Sequence, residues 1–178
     1  MGDIKSTLDL VMEKTKHLSL SAEEKVGQQR DVYEKRLKGL LQKYADDLQT
    51  FEEFQKQLKA IQESLGVKDL QLLIHQILKC VDPDRNNTPW LDLLETYAPS
   101  LTTPIQKILM SYLQRRETLL QEGSQKFLQR LQNDHQIQGS AVMPNLNQDR
   151  RIQQKLKLMQ NEVRDKLDSL ADSSKNYG

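Results

Sequence analysis

The feature that most constrains this chain is an apolar stripe with a seven-residue repeat between residues 37 and 65. Its main positions are Leu37, Tyr44, Phe51, Leu58 and Leu65, and Leu40, Leu41, Leu48, Phe54 and Ile61 fill the other half of the stripe. A sustained heptad pattern keeps one seam of an α-helix facing a partner helix. Ser21 and Glu24 form a capping-box start, and no proline follows before Gly66, a residue suited to ending a helix. The pattern therefore predicts a single helix over residues 22–65, about 65 Å long at 1.5 Å per residue.

A helix of that length exceeds the span of a compact domain of 178 residues, so it needs a second long helix to pack against. Thr103-Pro104 is a typical helix start, and the helix predicted over residues 104–137 continues with heptad-spaced Ile105, Tyr112 and Leu119. We therefore expect an all-α fold in which residues 22–65 and 104–137 form a long antiparallel, coiled-coil-like hairpin.

The rest of the chain is predicted to form shorter elements around this hairpin. Residues 66–98 are expected to form a cap of short helices, with a buried helix at 69–81 and another that starts at Thr88-Pro89. We predict flanking terminal helices that pack alongside the hairpin or exchange between protomers. The terminal helices are expected at residues 3–17 and 149–171. A linker is expected at residues 139–148 and a disordered tail at residues 172–178. All are expected to belong to one extended domain, residues 1–178.

Composition limits the possible classes of function. The 26 basic residues are balanced by 25 acidic ones, whereas a domain that neutralises nucleic-acid phosphates usually carries a large basic excess. The mean hydropathy is −0.72, and no window approaches the roughly 18 apolar residues of a membrane helix. Cys80 is the single cysteine, which excludes an intrachain disulfide and is typical of a reducing compartment. We expect a cytoplasmic protein with no membrane span, for which nucleic acid is a disfavoured partner.

The loop that begins at Asp82 has the alternating oxygen side chains of an EF-hand calcium loop. Asp82, Asp84 and Asn86 are candidate metal ligands in this pattern. However, Asn87 stands where the glycine of such a loop belongs, and Leu93 stands where a bidentate glutamate is required. The favoured interpretation is a helix–helix turn in which Asx side chains bond to the backbone.

The sequence contains no recognisable catalytic constellation. His75 and Cys80 are five residues apart and so lie on different faces of the predicted helix, which is poor geometry for a nucleophile and its base. Sequence spacing leaves open whether His75 and His135 meet in the fold. We therefore expect no enzyme, no catalytic residue and no cofactor.

Two features bear on partners. Trp90, Leu93 and Tyr97 are favoured as core residues, but they would form a partner-binding surface if the short helix presented them outward. The alternative function is a regulatory binder of nucleic acid or a metal ion. The basic patch Arg150-Arg151, with Lys155 and Lys157, supports nucleic acid, and the loop that begins at Asp82 supports a metal ion. The favoured function is a non-catalytic structural or adaptor protein that acts through protein–protein interaction. A homodimer is the simplest way to cover a surplus apolar stripe.

The segments Ile4-Lys5-Ser6-Thr7-Leu8 and Met12-Glu13-Lys14-Thr15-Lys16 carry a resemblance to other proteins. Over its first 25 residues or so, the chain resembles the start of a group of small uncharacterised bacterial all-helical proteins. This resemblance implies a bacterial protein with a helical fold, and it implies no activity and no site. The long-helix architecture is also similar to that of cytoplasmic adaptor and export-chaperone proteins.

Overall fold

The computed structural model describes residues 22–136, 139 and 142–174, so the helix predicted over residues 3–17 lies outside the described residues. Within them the chain forms six α-helices and one short 3₁₀-helix, without any strand, and the all-α fold class is confirmed. The α-helices are α1 (Ala22–Ala45), α2 (Phe51–Leu65), α3 (Leu70–Cys80), α4 (Thr88–Tyr97), α5 (Pro99–His135) and α6 (Arg150–Ser174). The chain divides into two compact units between Lys68 and Asp69, with α1 and α2 in the first and α3 to α6 in the second. One extended domain over residues 1–178 stays a prediction.

Residues 22–65 form two helices, and the prediction of one continuous helix is wrong. Asp47 adopts a left-handed conformation, with φ 54°, in the turn between α1 and α2. Thr50 then caps α2: its hydroxyl accepts from the Glu53 amide at 3.3 Å, and the Glu53 carboxylate accepts from the Thr50 amide at 2.8 Å. This capping box satisfies the backbone groups that a helix start leaves unpaired, so a break here costs little.

The two helices of the first unit pack as an antiparallel hairpin. Gln62 donates a 3.3 Å hydrogen bond to the Tyr33 hydroxyl at one end, and the rings of Tyr44 and Phe54 lie 5.4 Å apart at the other. The buried positions include Tyr33, Leu37, Leu40, Leu41, Phe54 and Leu58. The heptad stripe of residues 37–65 thus does face a helix. Its first half, on α1, packs against its second half, on α2. A pairing of residues 22–65 with 104–137 stays a prediction.

The second unit begins with the buried helix α3. Asp69 caps it by accepting a 2.8 Å hydrogen bond from the Leu72 amide, and its apolar residues, among them Leu73 and Ile77, are buried on most sides. At its C-terminal end the Arg164 guanidinium of α6 donates to three backbone carbonyls, those of Leu78 at 3.3 Å, Lys79 at 3.4 Å and Val81 at 3.2 Å. A single cation from a distant part of the sequence therefore adds to the backbone hydrogen bond from the Val81 amide to the Leu78 carbonyl that closes the helix.

Helix α5 begins at Pro99, so the predicted start at Thr103-Pro104 is wrong by about one turn. Pro99 occupies the first turn, where backbone N–H groups have no partner within the helix. The missing N–H of proline therefore costs no hydrogen bond there. Pro104 lies inside the helix and removes only the bond to the carbonyl of Ser100, an exposed residue. The carbonyl of an exposed residue can bond to water instead, so the helix tolerates the second proline.

Helices α5 and α6 form the long antiparallel hairpin of the second unit. Arg115 of α5 and Glu162 of α6 form a 2.7 Å ion pair, and further along the hairpin Gly123 lies against Ile152. Asp149 caps the start of α6, because its carboxylate accepts from the amides of Arg151 at 2.8 Å and Ile152 at 3.2 Å. The helix predicted over residues 149–171 corresponds to α6. The predicted disordered tail, 172–178, is wrong at its start because α6 continues to Ser174, and residues 175–178 lie outside the described residues.

Candidate functional site

The first candidate site is the loop between α3 and α4, which holds the three candidate metal ligands. The Asp84 carboxylate accepts a 2.8 Å hydrogen bond from the Tyr112 hydroxyl, and another from the Gln160 amide. The guanidinium of Arg116 lies 3.3 Å from the same Asp84 oxygen that Tyr112 bonds. Asp84 therefore connects the loop to α5 and α6, and both of its oxygens already have partners in the protein.

The other two candidate ligands stabilise the loop itself. Asp82 accepts from the Asp84 amide at 3.0 Å, and Asn86 accepts from the amide of Thr88 at 3.0 Å. Asn87, which is buried, exchanges hydrogen bonds with the backbone of Asp82 in both directions. These are the Asx turns that the sequence favoured for this loop. Among the described residues, no group of three or more His, Cys, Asp or Glu side chains could hold a metal ion.

The second candidate is the surface proposed for Trp90, Leu93 and Tyr97. Trp90 retains only 8% of its exposure and Leu93 none, while Tyr97 is half-buried. The hypothesis required the short helix to present these side chains outward, and the structure places two of the three in the core of the second unit. Trp90 and Leu93 are therefore core residues rather than parts of a free partner-binding surface. The apolar face of the ten-residue helix α4 is buried, as is usual for amphipathic helices.

The third candidate is the thiol of Cys80, which lies at the end of α3. Burial raises the pKa of Cys80, and the positive charge of Arg164 opposes this effect without cancelling it. A raised pKa lowers the thiolate fraction at neutral pH, and the thiolate is the reactive form. His75 lies on the same helix and His135 is the last residue of α5, but neither belongs to a ligand cluster within the described residues.

One surface remains, and it lies along the part of α5 that extends beyond the core. The buried residues of α5 end at Tyr112, although the helix continues to His135. From Gln114 onwards its neighbour along the hairpin is α6, and a groove made of two adjoining cavities, which share Leu119, Glu122 and Lys155, lies between the two helices. We call this the α5–α6 groove; its wall on α5 is formed by residues 114–130, and its other wall by Asp149 and residues 150–162 of α6.

The half of the groove nearer the core is mainly apolar. It encloses about 490 Å³, and its apolar lining consists of Leu119, Leu158 and Met159. Leu158 is 62% exposed, an unusual position for leucine in a helix that has a buried face elsewhere. The ion pair of Arg115 and Glu162 crosses this half from one helix to the other.

The half of the groove nearer the hairpin turn is basic. It encloses about 530 Å³ and is lined by five basic side chains, Lys126, Arg130, Arg150, Arg151 and Lys155, against only two acidic ones. Phe127, which is 41% exposed, adds an aromatic ring to this lining. Within the described residues, no carboxylate forms an ion pair with Arg130, Arg150, Arg151 or Lys155.

The sequence identified half of this surface. Arg150, Arg151 and Lys155 form the basic patch noted on α6, whereas Lys126 and Arg130 of α5 were overlooked. Their spacing of four residues, beside Phe127, was the available signal, because it places both cations on the same side of a helix. Which side faces α6 depends on how the hairpin packs, and the sequence does not contain that information directly.

Comparisons with protein-family models, with curated proteins and with solved structures found no match for this chain. In the part of the chain that the structure describes, no helix combines the length and the apolar character needed to cross a bilayer.

Proposed function

We propose that this chain is a non-catalytic helical protein that acts through protein–protein interaction, with the α5–α6 groove as its interaction surface. The observation that carries the proposal is the exposure of Leu158 and Phe127 in one groove, beside the half-buried Leu119. Exposed apolar side chains that line a groove are typical of interaction sites, because covering them removes apolar area from water. A structural or adaptor role follows from this kind of surface.

The occupant of the groove is a partner protein or a second copy of the chain. A helix laid along the groove would complete a three-helix arrangement, which is a common way for helical surfaces to recognise partners. In a homodimer, the same surface of each copy would contribute, since two-fold interfaces are self-complementary. Either occupant would cover the exposed side chains.

The test replaces the two most exposed apolar side chains of the groove, with the double substitution Phe127→Gln and Leu158→Gln. Sedimentation velocity measures self-association, and affinity capture from the source cell lysate measures the stoichiometry of any partner. We expect the double variant to lose whichever association the unchanged chain shows while keeping its melting temperature. The matched control is Val26→Gln with Met110→Gln, which removes two exposed apolar side chains outside the groove. An unchanged chain that stays monomeric and captures no partner contradicts the proposal.

A second candidate function is a regulatory binder of nucleic acid, and the basic half of the groove supports it. Five basic side chains on one surface can neutralise phosphates, although the net charge of +1 gives little attraction at long range. Filter binding at low salt tests this function. A metal ion has less support, because the oxygens of Asp82, Asp84 and Asn86 accept hydrogen bonds from the protein. Calorimetric titration with calcium tests that part of the alternative.

A further inference from the structure

We propose that the α5–α6 groove binds an acidic amphipathic helix of a partner protein, an inference that rests on the proposed function and names the chemistry of the partner. Three properties of the groove carry it: an apolar lining, basic side chains at one end, and a length suited to a helix. The residues from Gln114 to Arg130 extend for about 24 Å at 1.5 Å per residue, which matches about four turns of a bound helix.

The apolar lining selects for an apolar face on the partner. Leu119, Leu158 and Met159 lie in one half of the groove, and Phe127 and Ile152 continue the lining into the other half. A helix with apolar residues three and four positions apart presents a stripe that can contact such a lining along its length. The exposure of Leu158 leaves it free to contact that stripe.

The charge of the groove selects for acidic side chains beside that stripe. Its three carboxylates are already engaged, since Glu162 pairs with Arg115 at 2.7 Å, Glu122 pairs with Lys126 at 3.8 Å, and Asp149 accepts from the amides of Arg151 and Ile152. Arg130, Arg150, Arg151 and Lys155 have no such carboxylate among the described residues. The N-terminal end of α6 adds the positive end of a helix dipole at the same place. Acidic side chains on a bound helix would supply the missing partners.

The same features favour a protein over a nucleic acid. Phosphate recognition requires basic side chains but no apolar lining, and a single-stranded nucleic acid usually stacks its bases on several aromatic rings. Phe127 is the only aromatic residue that lines the groove. The long-range attraction that favours nucleic-acid binding is also small for a chain with a net charge of +1. We therefore commit to a protein helix, and binding of nucleic acid becomes an outcome of the test.

The test uses the full chain and two designed helical peptides that share one leucine stripe. One peptide carries glutamate beside the stripe, and the other carries lysine at the same positions. Fluorescence anisotropy measures their binding to the unchanged chain and to the double variant Arg150→Glu with Arg151→Glu. Glutamate in the first turn of α6 interacts favourably with the helix dipole, so we expect the variant to fold. The matched control, Lys56→Glu with Lys59→Glu, makes the same change in net charge at exposed positions of α2.

We expect the acidic peptide to bind the unchanged chain and the control with a micromolar Kd, and the groove variant at least about tenfold more weakly. The lysine peptide should bind only the groove variant, because reversing the charge of the groove reverses its preference. Raised salt should weaken the binding of the acidic peptide.

Several results overturn the inference. The inference is wrong if the acidic peptide does not bind the unchanged chain, or if the two peptides bind it equally. It is also wrong if the control variant loses as much affinity for the acidic peptide as the groove variant does. Tighter binding of a single-stranded oligonucleotide than of the acidic peptide, lost in the groove variant, assigns the surface to nucleic acid instead. If the acidic peptide fails while Phe127→Gln with Leu158→Gln still abolishes an association of the chain, the acidic partner is wrong and the proposed function stands. If that association is also unaffected, both the acidic partner and the proposed function are wrong.

Discussion

The hydroxyl of Tyr112 donates a 2.8 Å hydrogen bond to Oδ1 of Asp84, and this bond joins the loop between α3 and α4 to the last buried residue of α5. Gln160 of α6 bonds the other Asp84 oxygen. A carboxylate that the sequence presents as a candidate metal ligand therefore holds three parts of the second unit together. The α5–α6 groove begins just beyond this junction, at Gln114.

The Tyr112–Asp84 bond should make stability depend on pH in the alkaline range. Burial, followed by the hydrogen bond to Asp84 and its negative charge, raises the pKa of Tyr112 from 10 to about 12. Between these pH values the folded chain keeps a proton that the unfolded chain loses, so the contribution of Tyr112 is complete below pH 10 and is lost as the pH rises through about 12. We expect the free energy of unfolding, measured with urea, to fall more steeply over this range in the unchanged chain than in Tyr112→Phe. Parallel curves would contradict the prediction.

Arg164 should contribute to stability through the end of α3. Its guanidinium donates to three carbonyls, those of Leu78, Lys79 and Val81, and Arg164→Ala removes all three hydrogen bonds, although the Leu78 carbonyl keeps its bond from the Val81 amide. Hydrogen bonds from charged groups are worth about 1.5–3 kcal/mol, and we expect Arg164→Ala to lower the free energy of unfolding by about that amount. Arg164→Lys should recover only part of it, because an ammonium lacks the planar fork of the guanidinium.

The control for Arg164 is Arg115→Ala, which breaks an exposed ion pair with Glu162 on the same two-helix hairpin. Exposed pairs contribute little, since water already solvates both charges. We expect little change in the urea midpoint for this variant. An effect as large as that of Arg164→Ala would show that the hairpin depends on surface charge rather than on the capping of α3.

Substitutions at Gly123 and Gly39 should distinguish a glycine that allows two helices to pack closely from one that only weakens its own helix. A Cβ atom at Gly123 would overlap the Cδ1 atom of Ile152 and contact Leu146, whereas Gly39 has no atom within 4 Å of that position. Gly39→Ala should raise the free energy of unfolding by about 0.5–1 kcal/mol, because alanine has the higher helix propensity and restricts the unfolded chain. Gly123→Ala should gain less or nothing, and Gly123→Val should cost about 1–3 kcal/mol through overpacking. Equal gains at both alanine variants would contradict the close approach of α5 and α6.

Trp90 should behave as a core residue. It is nearly buried in α4, next to the fully buried Leu93 and Leu94. Trp90→Ala should lower the free energy of unfolding by about 3–5 kcal/mol, the usual cost of removing a large buried aromatic side chain. Thermal denaturation followed by circular dichroism checks this, with Leu158→Ala as an exposed control for which we expect a small effect. Loss of partner binding by Trp90→Ala without loss of stability would instead restore the surface hypothesis.

The candidate site was only partly predictable. The basic residues Arg150, Arg151 and Lys155 stand close together in the sequence, so a local pattern revealed them. Lys126 and Phe127 join them only because α5 and α6 pack antiparallel, with Gly123 at a point of close approach. Asp84 shows the opposite case, because its local pattern indicated a cation, while its partners Tyr112 and Gln160 lie 28 and 76 residues away in sequence.

By itself the sequence determined the all-α class and the positions of most helix ends, because caps and apolar periodicity act over a few residues. Asp69 and Gly66 are examples, and the structure adds a capping box at Thr50 and Glu53 that the sequence analysis did not identify. Only the tertiary structure decided which helices pair. A seven-residue repeat looks the same in the sequence whether it packs against a distant helix or whether the chain turns at Asp47 and its two halves pack together. It also decided which apolar side chains stay exposed. Phe127 and Leu158 are apolar like the buried residues of their helices, but Phe127 is 41% exposed and Leu158 is 62% exposed.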